Sequence, residues 1–325
     1  MTTRWLTTIL ILAGALAPTG SAALAQAMKV DADVPAYHAT RSVAGSLNSV
    51  GSDTMNNLMT LWAEGFRRVH PSVKVQIEGK GSSTAPPALI SGTAQLGPMS
   101  RRMKAAEIDA FEKKFGYKPL EIRAAVDALA VYVNKDNPID RLTIEQVDAI
   151  FSKTRKCGAT QPIDRWGQLG LTGSWAGKPI SLYGRNSASG TYGYFKKHAL
   201  CKGDFKDTVK EQPGSASVVQ GVTEDLYGIG YSGVGYRTSG VKAVALSKDG
   251  KEFHGVEPES VYSGKYPLAR FLYIYVNRPP NQPLDSLTRE FLRYVLSREG
   301  QEVVIKDGYL PLHAKLVARE LAKLD

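Results

Sequence analysis

A chain of 325 residues, 43% hydrophobic and 22% charged, is too apolar to stay disordered and long enough for two lobes with cores of their own. Its formal charge of +10 comes from lysines and arginines scattered along the sequence, with no long basic run and no interleaved aromatic stripe, so a nucleic-acid partner is not expected. The balance favours capture of a small anion, and the five dispersed histidines (His38, His70, His198, His254 and His313) lack metal spacing, so no metal or other cofactor is expected.

Residues 5–17 are the one stretch apolar enough to concern a membrane. They follow Arg4, are too short to span a bilayer and lead to the small residues Ala23-Leu24-Ala25. Residues 1–25 are therefore read as a cleaved secretory signal, with cleavage after Ala27 as the alternative. No cysteine stands near either position, which argues against a lipid anchor, and the mature protein is expected to be soluble and exported. Residues 26–44 are polar and irregular and are expected to form a loose arm.

A strand is expected over 46–50, followed by Gly51-Ser52-Asp53-Thr54 and then by Met55, Leu58, Met59, Trp62 and Phe66 at helical spacing, up to His70-Pro71. Asp53 stands where a helix cap belongs, and its other possible role is toward a ligand. Residues 73–78 alternate as a strand and open into Gly79-Lys80-Gly81-Ser82-Ser83-Thr84, ahead of a short helix over 85–90. A brief apolar stretch at 95–97 leads through Pro98-Met99-Ser100-Arg101-Arg102-Met103 into a helix over 104–115. Such alternation predicts an α/β unit with a largely parallel sheet, where ligands sit outside the carboxyl ends of the strands.

Residues 120–134 carry a nearly continuous strand pattern that ends at Lys135-Asp136-Asn137-Pro138, read as a crossing into a second lobe. Thr143 is placed to cap a helix over 144–151, and a loop rich in Gly, Pro and Trp fills 153–179. A short strand over 180–183 and the turn residue Gly184 then lead into Arg185-Asn186-Ser187-Ala188-Ser189-Gly190-Thr191 and a helix to residue 200. Where a strand, a polar turn and a helix start meet, the free N–H groups of Ser189, Gly190 and Thr191 converge with their hydroxyls in front of the helix. That is an anion seat, to which Arg185 adds a planar fork of donors. The plainer alternative is that Ser189 or Thr191 only caps the helix while Arg185 lies on the surface. The two cysteines, Cys157 and Cys201, are expected to pair in an exported chain, tying the end of this helix to the loop after Phe151; two buried thiols are the alternative.

A helix around Val218 and Val219, strands over 226–231 and 241–246, and an apolar strand over 271–276 that returns to the first lobe follow. Helices over 284–296, 300–305 and 312–324 close the chain. The predicted organisation is a first lobe of 45–133 plus 267–325, a second of 134–266, and a ligand between them. Enzyme motifs fail: Gly228-Ile229-Gly230-Tyr231-Ser232-Gly233 has dinucleotide-binding spacing but does not open a helix, Gly177-Lys178-Pro179 lacks the hydroxyl of a P-loop, and no Gly-x-Ser-x-Gly elbow exists. No catalytic residues are assigned.

Gly51-Ser52-Asp53-Thr54, Gly81-Ser82-Ser83-Thr84, residues 97–101, and Arg185 followed after three residues by Ser189-Gly190-Thr191 together resemble the substrate-binding proteins of ABC-type phosphate importers. The resemblance spans about residues 46–312, including Tyr266-Pro267, Gly300-Gln301 and Gly308-Tyr309-Leu310-Pro311. It implies the type II periplasmic binding fold, an α/β architecture of two lobes joined by two hinge crossings, and a periplasmic monomer that delivers inorganic phosphate to an inner-membrane ABC permease. The implied ligand set is Ser52, Asp53, Thr54, Ser82, Ser83, Ser100 and Arg101 from the first lobe, with Arg185, Ser189, Gly190 and Thr191 from the second. Two departures stand out. The family places at Ser100 a carboxylate that accepts the proton of hydrogen phosphate, and at Ser187 another that braces the arginine. Asp53 is the expected replacement acceptor, and Arg101 is expected to add positive charge. Another oxyanion such as sulfate, a secreted phosphatase-like activity and an adhesive surface role are the alternatives.

Overall fold

A computed structural model describes residues 28–325, so the expected signal segment and both cleavage positions lie outside the described residues. In the first lobe β1 (Gly45–Val50) and β2 (Val73–Glu78) pair in parallel around α1 (Asn56–Val69). Burial of Leu58, Met59, Trp62 and Phe66, one face at helical spacing, fixes that helix on its sheet. α2 (Ala85–Ser91) starts on Pro86 and Pro87, where a missing N–H costs no hydrogen bond; β3 (Gly97–Met99) and α3 (Ala105–Phe115) follow.

β4 (Leu120–Asn134) has the bounds its apolar pattern predicts and crosses from one lobe to the other. The second lobe holds β5 (Arg141–Thr143), α4 (Ile144–Phe151), β6 (Ser181–Arg185), α5 (Gly190–His198), β7 (Lys210–Gln212), α6 (Ser215–Glu224), β8 (Gly228–Gly233), β9 (Val241–Ala243), β10 (Ala245–Ser247) and α7 (Pro258–Tyr262). β11 (Ala269–Val276) returns the chain to the first lobe, where α8 (Ser286–Val295), α9 (Arg298–Lys306) and α10 (Ala314–Leu321) complete it. Thr143 caps α4 as predicted, its hydroxyl accepting from the Gln146 N–H. β5, β7 and α7 are too short to show a period, and the strand expected over 241–246 breaks into two at Val244.

The main sheet runs β3-β11-β4-β8-β6-β7, with β9 also on β4. The first part of β4 pairs with β11 up to Ala128, and its second part pairs with β8 from Leu129, so one strand serves both lobes. The expectation of a largely parallel sheet needs correction. β6 pairs in parallel with β7 and β8, but β4 is antiparallel to β8 and β9 and also to β11, the other crossing strand, which runs back in the opposite direction.

Residues 28–44 are irregular but not loose. Val34 is buried, the Tyr37 hydroxyl donates to Glu290 Oε2 at 2.8 Å, and the Arg298 N–H donates to the Pro35 carbonyl at 2.8 Å. Cys157 and Cys201 form the expected disulfide, with Cα atoms 5.3 Å apart. Beside it Phe195 stacks on Tyr231 with ring centroids 3.9 Å apart, which seats α5 on the sheet.

Candidate functional site

Three turns of the first lobe meet at the carboxyl ends of its strands. The Gly81 N–H donates to the Gly51 carbonyl at 2.7 Å, and the Ser52 N–H to the Pro98 carbonyl at 2.8 Å. A Cβ on Gly51 would stand 2.1 Å from the Pro98 oxygen, so only glycine lets these turns lie side by side. The Ser100 N–H donates to Ser82 Oγ at 3.0 Å, and the two serine hydroxyls lie 3.3 Å apart. Ser52, Thr54, Ser82 and Ser100 are all buried, and Ser52 Oγ has no hydrogen-bond partner among the described residues.

From the second lobe, β6 ends at Arg185 and α5 begins at Gly190, capped by Ser189, whose Oγ accepts from the N–H groups of Thr191 and Tyr192. Arg185 is not a surface residue; it is only 1% exposed. Its Nη1 donates to Ser215 Oγ at 2.6 Å and faces Asp53 Oδ2 at 3.1 Å, its Nη2 donates to the Pro213 carbonyl at 3.1 Å, and its Nε is buried with no partner among the described residues. Burial pulls the guanidinium below its ordinary pKa, and the Asp53 carboxylate works against that shift.

These turns touch across the cleft. Thr54 Oγ1 and Thr191 Oγ1 are 2.8 Å apart, and the Ser83 N–H donates to the Ala188 carbonyl at 3.1 Å. A Cβ on Gly190 would lie 2.2 Å from Ser82 Oγ and 2.6 Å from Ser100 Oγ. Asp53 does not cap its own helix, because it lies inside the 3-10 turn Asp53–Met55; its Oδ2 instead accepts the Ser215 N–H at 2.8 Å, capping α6 from the opposite lobe. Asp53 thereby takes over the bracing of Arg185, while Ser187 is exposed. Arg101 is not a free charge at the seat: its fork is held by Glu107 through two bonds of 2.7 Å, and it reaches the turn only as a donor to Ser83 Oγ at 3.2 Å.

Sequence reasoning missed Arg270 and Asp127. They lie directly opposite each other on β11 and β4, buried, with Arg270 Nε 2.8 Å from Asp127 Oδ2. Arg270 Nη1 donates to the Ser100 carbonyl at 2.9 Å and Nη2 to Thr191 Oγ1 at 3.0 Å, so this guanidinium touches a turn of each lobe. The available signal was a charge inside each of two apolar strands, since a buried charge needs a partner. Beside Arg270 opens a cavity of about 510 Å³, lined in part by Arg101, Arg102, Lys104, Lys197, His198 and Arg270. Burial, together with nearby Lys197 and Arg270, pulls the His198 imidazole below its ordinary range.

The PBP superfamily domain matches residues 36–299. The phosphate-binding protein PstS of Pseudomonas aeruginosa is 58% identical over 306 residues, covering 94% of this chain and 95% of that one. The chain belongs to the PstS-type family of phosphate-binding proteins. PstS of Bacillus subtilis is 29% identical over 281 residues, 85% of this chain and 84% of that one. Among solved structures, one assigned as a phosphate ABC transporter substrate-binding protein from Clostridium perfringens, with bound phosphate, superposes with a TM-score of 0.69 at 26% identity, covering 82% of this chain and all of that one. An ABC-type phosphate transport receptor from Vibrio cholerae, at 23% identity over 82% of this chain and 100% of that one and with a TM-score of 0.63, supports the fold alone. The two-lobed type II architecture expected from the motifs is thus that of the PstS-type family. In this chain serines stand at 100 and 187, and Asp53 reaches across to Arg185. Among the described residues no helix is long and apolar enough to cross a membrane, and no cluster of His, Cys, Asp or Glu could hold a metal ion.

Proposed function

We propose that this chain is an exported, periplasmic monomer that closes its lobes on inorganic phosphate and delivers it to an ABC-type permease, without cofactor or catalytic turnover. The observation that carries this reading is the convergence of a buried arginine and the hydroxyls of Thr54, Ser82 and Thr191 from two lobes, at turns that open helices. The family membership supports the same ligand. In this reading Ser52, Thr54, Ser82, Ser83 and Ser100 donate from one side, and Arg185, Ser189, Gly190 and Thr191 from the other. Asp53 accepts the phosphate proton, and Arg101 acts through Ser83 rather than on the anion.

The magnitudes are sufficient. Micromolar capture requires about 8 kcal/mol, and hydrogen bonds to a charged group contribute about 1.5–3 kcal/mol each. Several such bonds leave a surplus after ordering and closure costs, because turns fixed in helix starts lose little freedom on binding. Hydrolysis finds no support in the geometry, since Ser82 and Ser83 are partnered by a hydroxyl, an N–H and a guanidinium rather than by a base.

Calorimetric titration of phosphate-stripped protein with phosphate, arsenate and sulfate tests the reading. Phosphate is expected to bind and sulfate to bind far more weakly, with Asp53→Asn eroding that preference. Arg185→Ala is expected to weaken phosphate by roughly a hundredfold, on the order of 3 kcal/mol. Equal binding of sulfate and phosphate, or an Arg185→Ala affinity within about threefold of the parent, would contradict it.

A further inference from the structure

Beyond the phosphate seat, we propose that the cavity beside Arg270 is a second anion site, which takes a short inorganic condensed phosphate such as diphosphate or triphosphate and holds it from the two lobes through Lys104 and Lys197. Its volume of about 510 Å³ is far more than one tetrahedral anion fills, and it falls within the roughly 300–1,000 Å³ of sites for larger ligands. The two segments that build the seat also build these walls. On α5, Gly190 and Thr191 stand at the seat, and Gly193, Tyr194, Lys197 and His198, one to two turns further along the same face, line the cavity. On the first lobe Ser100 stands at the seat, and Arg101, Arg102 and Lys104 follow it into the cavity. Gly193 is unfavourable inside a helix, but it leaves this space open: a Cβ there would already lie 3.5 Å from Arg101 Cδ, so a longer side chain would fill the gap between α5 and the Arg101 stem.

The lining carries charge of one sign. Arg101, Arg102, Lys104, Lys197 and Arg270 contribute to it, and no carboxylate does. Glu107 holds Arg101 and Asp127 holds Arg270 from behind, and Glu121 Oε1 stands 3.4 Å from Arg102, which leaves the exposed Lys104 and Lys197 without a carboxylate partner among the described residues. Their field reaches inward: after burial, Lys197 and Arg270 are what hold the His198 imidazole below its ordinary range. A linear run of phosphoryl groups repeats its charge along a length and so can meet ammonium groups on facing walls at once. Lysine binds phosphoryl oxygens as a point charge, without the fixed geometry that a single planar or tetrahedral anion draws from arginine. A nucleobase finds less here, because each aromatic ring of the lining already carries a cation: Arg270 lies 5.3 Å from the Tyr194 ring, Arg102 5.9 Å from Tyr273 and Arg123 5.1 Å from Phe271.

The experiment is a calorimetric titration of the full mature chain, saturated with inorganic phosphate, with inorganic triphosphate. One triphosphate is expected to bind per chain, more weakly as salt is raised. Lys104→Gln and Lys197→Gln are each expected to weaken it by about tenfold, while the phosphate affinity of the stripped variants stays within about threefold of the parent. Sulfate is expected not to bind the saturated chain, and ATP to bind it no more tightly than triphosphate. Absence of triphosphate binding to the saturated chain, or binding to the stripped chain alone that phosphate displaces, would overturn the inference. So would an unchanged affinity in the double lysine variant, equal binding of sulfate, or tighter binding of ATP. All of these leave phosphate capture at the seat intact. Should the stripped parent fail to bind phosphate, the seat reading is lost, and triphosphate titration of the parent and the double lysine variant still decides this inference.

Discussion

Asp307 shows how a single carboxyl reports on the closed arrangement. It ends α9 in the first lobe, beside the turn at Gly235 of the second, and its Oδ2 is buried with no partner among the described residues. Burial raises its pKa to about 7, and a carboxylate at a helix C-terminus also faces the negative end of the helix dipole. The folded protein therefore keeps a proton that the unfolded chain releases from about pH 4 upward, so stability falls as pH rises from about 4 to about 7 and is lower beyond. Asp307→Asn is expected to melt a few degrees above the parent at about pH 8 and together with it near pH 4 in a thermal scan. Equal melting at both values would place Asp307 in water rather than in the interface. At this scale Arg185 was legible in the sequence because its turn is local, whereas the Arg270–Asp127 pair was not, since its members lie 143 residues apart and only the β4–β11 register joins them. Asp53 was singled out as a cap of its own helix or as an acceptor toward the ligand; it does cap a helix, but one that belongs to the other lobe.

α5 is the element that carries the second lobe's share of the proposed seat, and two features of it can be tested apart. Its first residue is Gly190, where a methyl would lie 2.2 Å from Ser82 Oγ of the facing lobe. Gly190→Ala is expected to fold normally yet bind phosphate at least about tenfold more weakly, because the clash exists only when the lobes are shut; matched melting curves with unequal titrations would show this. Its other end is tied by Cys157–Cys201 across a separation of 44 residues, and replacing both cysteines by serine is expected to cost about 2–5 kcal/mol in denaturant unfolding. No change in the unfolding midpoint would mean the stacked rings of Phe195 and Tyr231 hold α5 in place unaided. Helices and strands longer than about five residues were readable from period and capping, as in β4 and α4, because burial of one face writes the period into the chain. β5, β7 and α7 were not, since pairing and packing with distant segments, rather than local pattern, create them.

For the molecule as a whole, β4 and β11 form the only shared frame among the described strands, and each lobe brings its turns to the same line between them. The cavity beside Arg270 is lined in part by Arg101, Arg102, Lys104, Lys197 and His198, and a basic lining of this kind is expected to steer anions toward the lobes. Stopped-flow association with phosphate is therefore expected to slow steeply with added salt while dissociation changes little, and equal salt sensitivity of both rates would deny the lining a steering role. The motif spacing pointed to two lobes and a cleft; the mixed sheet and the cross-lobe reach of Asp53 and Arg270 needed the folded chain, because they arise from the crossing geometry. The most direct test of the central claim is a crystal structure of the phosphate complex. Phosphate oxygens should lie within hydrogen-bonding distance of Arg185 and Thr191 from one lobe and of Thr54 and Ser82 from the other, with Asp53 on the protonated oxygen. A phosphate held by one lobe alone, or lodged among Lys104 and Lys197 outside the joined turns, would contradict it.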